Sequence, residues 1–142
     1  MLGLSTCRTS APASQMSTSG RDWSVSQGQL LWQANRRQQP IAADFLLATN
    51  RSGNFTLTLS KNPFPLASAG YLAGHWWIHY GTSRFSRHGF GHPPARFDLF
   101  QITAALEGHP LRPPWVFSRK DRFHWNLQNS ATGENIQGVN LP

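Results

Sequence analysis

A two-residue alternation at residues 54–61 constrains the fold of this chain most strongly. Apolar and hydroxyl side chains follow one another in the order Phe55, Thr56, Leu57, Thr58, Leu59, Ser60. In a β-strand this order puts the apolar side chains on one face and the hydroxyls on the other, and β-branched threonines favour a strand over a helix. The apolar run at residues 41–49 and the turn at residues 50–53 complete the pattern of an antiparallel hairpin.

The rest of the chain predicts further strands and one helix. Strands are predicted at residues 27–33, after an imperfect alternation from residue 23, and at residues 75–80, 115–117, 123–128 and 135–141. Residues 66–71 are predicted to be a short link. A helix is expected between Pro94 and Gly108, because proline is tolerated in a first turn and glycine closes helices. Asp98 suits the positive end of the dipole of such a helix.

Length and composition place the chain among single-domain globular proteins. The sequence has 142 residues, of which 39% are hydrophobic and 12% aromatic, so it is long enough to bury one core and too aromatic to be disordered. Residues 1–20 are predicted to be a flexible tail, and residues 21–142 a single β-rich domain. We therefore expect a mainly β (α+β) fold, a curved antiparallel sheet or unclosed β-barrel with one main helix packed on its concave face.

Residues 74–81, with the sequence GHWWIHYG, concentrate aromatic rings and two histidines between glycines. In a strand His75 and His79 lie on one face, about 13 Å apart at roughly 3.3 Å per residue. One metal ion cannot bind both, because a Zn–N bond is only about 2.0–2.1 Å long. Trp76 and Ile78 lie on the opposite face. Three interpretations stay open: part of the core, the lining of a ligand cavity, and a metal or haem site.

The segment at residues 84–97 combines cations and aromatic rings with glycines and a proline pair, which predicts a mobile loop. Its side chains suited to an anionic lipid head group or a protein partner are Arg84, Phe85, Arg87 and Phe90. The alternative is an ordinary solvated loop. His88 and His92 also lie in this segment, but a typical metal site has three or four protein ligands. No metal or other cofactor is predicted.

The charge of the chain is strongly positive, and acidic residues are few. Thirteen lysines and arginines stand against six aspartates and glutamates, for a net charge of +7. Such a balance favours an anionic membrane surface, an acidic partner or nucleic acid, and the scattering of the arginines argues against nucleic acid. The dispersed acids predict no close acid pair, and no Gly-x-Ser-x-Gly motif is present. We therefore predict that the protein is not an enzyme.

The one cysteine, Cys7, follows Leu4-Ser5-Thr6, an order that resembles the end of a bacterial lipoprotein signal peptide. Lipidation would make Cys7 a membrane anchor, with residues 8–15 as a polar tether. Only six residues precede Cys7, whereas a secretory signal requires a charged region and an apolar core. Two interpretations stay open: a start further upstream with Cys7 as the lipid anchor, or a disordered arm with a chance cysteine.

Three short motifs make the chain similar to the LolA/LolB-like bacterial lipoprotein carriers. They are GQLLWQ at residues 28–33, GNFTLTL at residues 53–59 followed by Asn62-Pro63, and LEGHPL at residues 106–111. The resemblance covers about residues 21–142 and implies an unclosed β-barrel around helices, with a hydrophobic concavity that holds acyl chains. The chain is shorter than typical members and has fewer predicted helices than the family uses as its lid.

The resemblance and the residue patterns together predict a non-enzymatic envelope lipoprotein. We expect a monomer that binds acyl chains or lipidated proteins and, if Cys7 is lipidated, faces the periplasm from the outer membrane. The residues expected to line its concavity are Phe55, Leu57, Leu59, Trp76, Ile78, Phe100, Ile102, Leu106, Trp125 and Leu127. The rival hypothesis is a basic nucleic-acid- or protein-interaction module that uses the segment at residues 84–97.

Overall fold

The computed structural model of the protein describes residues 22–81 and 84–142. The elements in chain order are β1 (Trp23–Gln33), β2 (Ile41–Asn50), β3 (Phe55–Lys61), β4 (Phe64–Leu72), β5 (His75–Tyr80), β6 (Phe85–Phe90), α1 (Asp98–Leu106), β7 (Trp115–Arg119), β8 (His124–Asn129) and β9 (Asn135–Asn140). The predicted tail at residues 1–20, including Cys7, lies outside the described residues. The prediction of a mainly β fold with one main helix is confirmed. In the part of the chain described, no helix is long and apolar enough to cross a membrane.

The strands form one antiparallel sheet that does not close into a barrel. Their order is β6-β5-β4-β3-β2-β1-β9-β8-β7, so β1 to β6 make a continuous meander. The strand β9 pairs with β1 on one side and with β8 on the other. As a result, β6 and β7 are the two free edges, and β9 alone joins the β7–β8 hairpin to the rest of the sheet.

The helix α1 packs against the face of the sheet that carries the alternating apolar residues. Leu57 and Leu59 of β3 are buried on this face, and so are Trp76 and Ile78 of β5, as the alternation predicts. Seven of the nine helical residues are buried, so the sheet and its connections enclose the helix on most sides. Gly108, with a φ of 77°, takes the left-handed conformation that ends a helix.

Aromatic rings placed opposite glycines allow the sheet to curve around α1. In the strand register Trp125 of β8 lies opposite Gly138 of β9, and Phe45 of β2 lies opposite Gly28 of β1. Each ring lies directly over its glycine, where a Cβ would overlap it. The two rings meet edge to face with centroids 6.0 Å apart, although a flat sheet would separate β2 from β8 by about 14 Å. The sheet is therefore strongly curved at its middle.

The same pairing of tryptophan with glycine occurs at the other end of the sheet. Trp76 lies opposite Gly89 of β6, on the side of α1, and Trp77 lies opposite Gly70 of β4, on the outer face. The outer face is the face of the sheet turned away from α1. The two adjacent indoles of the GHWWIHYG motif therefore point to opposite sides of the sheet, as the alternation of a strand requires.

The prediction of a short link at residues 66–71 is wrong, because these residues form most of β4. Pro65 is accommodated where the β3–β4 register shifts between Leu59 and Ser60, and such irregularities are where a sheet tolerates proline. The buried side chains of the strand include Ala67 and Ala69. Because these side chains are small, the sequence shows no alternation of large apolar and polar residues from which a strand could be predicted.

The prediction of a mobile loop at residues 84–97 is wrong over its first half, where Phe85–Phe90 form β6. Every residue of β6 is in register with a residue of β5. As an edge strand, β6 needs ladder hydrogen bonds on one side only, and its polar side chains can stay in solvent. The sequence of β6 therefore lacks the buried apolar alternation on which strand prediction depends.

Candidate functional site

A large cleft lies between α1 and the end of the sheet that carries the β2–β3 turn. Its volume is about 900 Å³, within the range of small-molecule sites. The aromatic part of its wall consists of Phe55 on β3, Tyr71 on β4 and Phe100 on α1. Phe55 stacks on Tyr71 with centroids 6.4 Å apart and meets Phe100 edge to face at 6.0 Å. These three rings therefore form one preformed apolar surface.

The charged and imidazole side chains of the cleft come from the segments on either side of α1. His92 precedes the helix, and Glu107, His109 and Arg112 follow its last residue. In residues 22–81 and 84–142, Arg112 forms no salt bridge with a carboxylate. An aromatic wall with the Arg112 guanidinium, two imidazoles and the Glu107 carboxylate beside it suits an amphiphilic ligand, whose anionic group Arg112 can bind.

The residues predicted to line a hydrophobic concavity are divided between this cleft and the core. Phe55 and Phe100 lie in the cleft wall, and Leu59 borders a separate cavity of about 50 Å³. The others pack in the core: Leu57, Trp76, Ile78, Ile102, Leu106, Trp125 and Leu127. The concave face of the sheet is thus filled by α1 and by these side chains, and the cleft lies at its end.

Two carboxyl groups meet at the first turn of α1, and the prediction of no close acid pair is wrong. Asp98, in the first turn of α1, accepts a hydrogen bond from the Tyr80 hydroxyl. Glu134, in the β8–β9 turn, accepts one from Nε1 of Trp32 at 2.7 Å. The carboxyl group of Asp98 is also close enough to that of Glu134 to raise the pKa of Glu134. These four residues form the acid cluster.

Glu134 and Tyr80, two members of the acid cluster, hold their protons more tightly than usual. Burial, together with the neighbouring Asp98, raises the pKa of Glu134 to about 9, so this carboxyl keeps its proton at neutral pH. Burial and the neighbouring Asp98 also raise the pKa of Tyr80. Trp32 and Tyr80 border the cavity of about 50 Å³, which has room for a few water molecules. The acid cluster therefore connects α1, β1, β5 and the β8–β9 turn in the folded chain.

The histidines of the GHWWIHYG motif lie on the outer face. His75 and His79 share this face with Trp77, and their spacing along β5 keeps the two histidines apart. Instead, Nε2 of His75 lies 3.5 Å from Nδ1 of His88 on β6. Nowhere in the described ranges do three or more potential metal ligands come together. The pairing of His75 with His88 depends on the β5–β6 register, which the spacing within β5 does not reveal.

The four residues predicted to contact a membrane or partner do not share one surface. Phe85 packs at the margin of the core, with the guanidinium of Arg87 4.5 Å from its ring centroid. Phe90 lies on the outer face, is 83% exposed and stacks on His75 with centroids 4.9 Å apart. Arg84 precedes β6 with a φ of 55°. Because they belong to a strand and not a loop, Phe85 and Phe90 point to opposite faces of the sheet.

Neither a known protein family nor an individual curated protein matches this chain. The features that bear on its function are therefore those of its own structure: the aromatic cleft, the acid cluster and the histidines of the outer face.

Proposed function

We propose that this protein binds acyl chains, free or attached to a lipidated protein, in the cleft between α1 and the end of the sheet. The observation that carries the proposal is the ring surface formed by Phe55, Tyr71 and Phe100 in a cleft of about 900 Å³. The similarity of three sequence motifs to the LolA/LolB-like carriers points to the same class of ligand.

The ring surface supplies the apolar part of the binding. Transfer of a methylene group out of water contributes about 0.8 kcal/mol, so affinity is expected to rise with acyl chain length until the cleft is filled. Phe55 is already held by its contacts with Tyr71 and Phe100. Little side-chain entropy is therefore lost when a ligand binds, which favours affinity.

Arg112 supplies the polar part of the binding. Its guanidinium has no carboxylate partner in the described residues, and it lies at the cleft with His92 and His109. Guanidinium groups bind carboxylates and phosphates through paired hydrogen bonds. We therefore expect the cleft to prefer amphiphiles with an anionic group over neutral ones.

Filling the cleft is expected to abolish acyl-chain binding. Ala104 lies on α1 and lines the cleft, so the variant Ala104→Trp places an indole in the ligand's volume. We expect its affinity for a fluorescent fatty acid to fall at least about tenfold, equivalent to about 1.4 kcal/mol. The measurement is a fluorescence titration of delipidated protein, repeated with fatty acids of increasing chain length.

Ala42→Trp is the matched control for this variant. Ala42 is exposed and lies on β2 in a groove away from the cleft. Its replacement should leave fatty-acid affinity unchanged. Unchanged affinity in Ala104→Trp, or an equal loss in both variants, would remove the cleft as the binding site.

A second candidate function is favoured by the unpaired positive charge. None of the arginines or lysines in the described ranges lies within 4.0 Å of a carboxylate oxygen, so their charge is free to attract an anionic macromolecule. A basic interaction module predicts binding to RNA, DNA or an acidic protein that weakens steeply with salt. Acyl-chain binding driven by apolar burial predicts a weak dependence on salt.

The proposed cellular place is the bacterial envelope, with Cys7 as a lipid anchor on the periplasmic side of the outer membrane. The mass of the intact protein, extracted gently from its own cells, tests this placement. A mass increment of a diacylglycerol type on Cys7 is expected. An unmodified Cys7 would contradict the proposed lipid anchor. The proposed acyl-chain binding in the cleft is tested separately, by the fatty-acid titration.

A further inference from the structure

Two histidines on the outer face are close enough to share a ligand. Nε2 of His75 lies 3.5 Å from Nδ1 of His88, and the two rings are nearly perpendicular, at 86°. The ring of Phe90 stacks on His75. Both imidazoles lie at the surface of the outer face, so their nitrogens are accessible to a ligand from solvent.

The distance between these nitrogens is close to the one that a tetrahedral metal ion imposes. With bonds of about 2.0–2.1 Å, two imidazole nitrogens on one zinc ion stand about 3.3 Å apart. Because a shared ion lies to one side of the line that joins the two nitrogens, both imidazole rings have to turn before their lone pairs converge on it to form a chelate. The same separation also accommodates a direct hydrogen bond between the rings, and metal titration distinguishes the two arrangements.

We propose that His75 and His88 bind a divalent transition ion, such as Zn²⁺, Cu²⁺ or Ni²⁺, through Nε2 and Nδ1 respectively. Imidazole nitrogen suits these ions, whereas Mg²⁺ and Ca²⁺ take oxygen ligands. No third ligand of the described chain joins the pair, so water or a donor atom of another molecule completes the coordination. The site lies on the face opposite the cleft and does not depend on acyl-chain binding.

Metal titration of the whole chain, prepared without an affinity tag, tests the proposal. Isothermal calorimetry is expected to show one Zn²⁺ or Cu²⁺ per chain, with Cu²⁺ bound more tightly, and no binding of Mg²⁺. The variants His75→Gln and His88→Gln are each expected to weaken binding at least about tenfold, because loss of even an outer-shell partner weakens metal binding about 10–100-fold.

His79→Gln is the matched control, since it removes an exposed imidazole from the same face of β5 without touching the pair. Its metal affinity is expected to equal that of the unmodified chain. The proposal is overturned if both paired variants bind metal normally, or if His79→Gln loses as much affinity as they do. Loss of binding in Cys7→Ser would also overturn it, because the thiol would then be the ligand.

Discussion

Replacing Gly138 with alanine is expected to lower the free energy of unfolding by about 1–3 kcal/mol, the usual cost of forcing extra atoms into a packed core. The added Cβ would overlap the indole of Trp125, a side chain with only 3% of its surface exposed. That indole cannot move aside, because its Nε1 donates a hydrogen bond of 2.9 Å to Asn140 Oδ1 and its ring meets Phe45. Urea denaturation followed by tryptophan fluorescence measures the loss.

Gly70→Ala is the matched control, since its Cβ would overlap the indole of Trp77 in the same way. Trp77 is half-buried on the outer face, so its indole can rotate towards solvent. We expect a loss of less than about 1 kcal/mol, because the extra volume is not confined to a packed core. Equal losses of unfolding free energy in the two variants would show that the tight packing around Trp125 does not determine the destabilisation.

The free energy of unfolding is expected to fall as the pH rises from about 5 to about 9, because of Glu134. In the folded chain its pKa is raised to about 9, whereas an unfolded glutamate titrates at about 4.3. Between these values the folded state holds one more proton than the unfolded state, so deprotonation favours unfolding. One proton gives at most about 1.4 kcal/mol per pH unit, and solvent around the half-buried carboxyl reduces this slope.

Glu134→Gln removes the titrating group and is expected to abolish this part of the pH dependence. Its amide can still accept the hydrogen bond from Trp32 and can donate one to Asp98. Glu107→Gln is the control, because Glu107 is an exposed glutamate at the end of α1 and its loss should leave the slope unchanged. Urea midpoints measured from pH 5 to pH 9 compare the three proteins. Identical slopes in both variants would contradict the assignment to Glu134.

Elements with strong local signals could be predicted from the sequence. The alternation that starts at Phe55 identified β3, and the faces of β5 followed from the alternation of Trp76 and Ile78. Gly108 marked the end of α1 correctly. These signals suffice because each depends only on residues that are close in the sequence, within one or two helical turns or strand repeats.

Contacts between residues far apart in the chain could not be predicted. Asp98 and Glu134 come together only because folding brings the first turn of α1 close to the β8–β9 turn, and no pattern in the sequence links them. His75 and His88 meet through the β5–β6 register, and a shift of one residue would turn one of them to the other face. For the packing of tryptophan rings over glycines, the sequence offered only a compositional signal. Some strands are rich in tryptophan, and others, such as β9 with Gly138, contain glycine.

The position of β9 determines how this sheet can assemble. Its pairing with β1 joins residues such as Gly28 and Asn140, which lie at opposite ends of the described chain, and such non-local pairing slows folding to milliseconds or seconds. The β1–β6 meander and the β7–β9 meander can each form from local contacts. We expect the pairing of β9 with β1 to limit the folding rate. Until it forms, β1 and β9 each expose an unpaired edge through which one chain can aggregate with another.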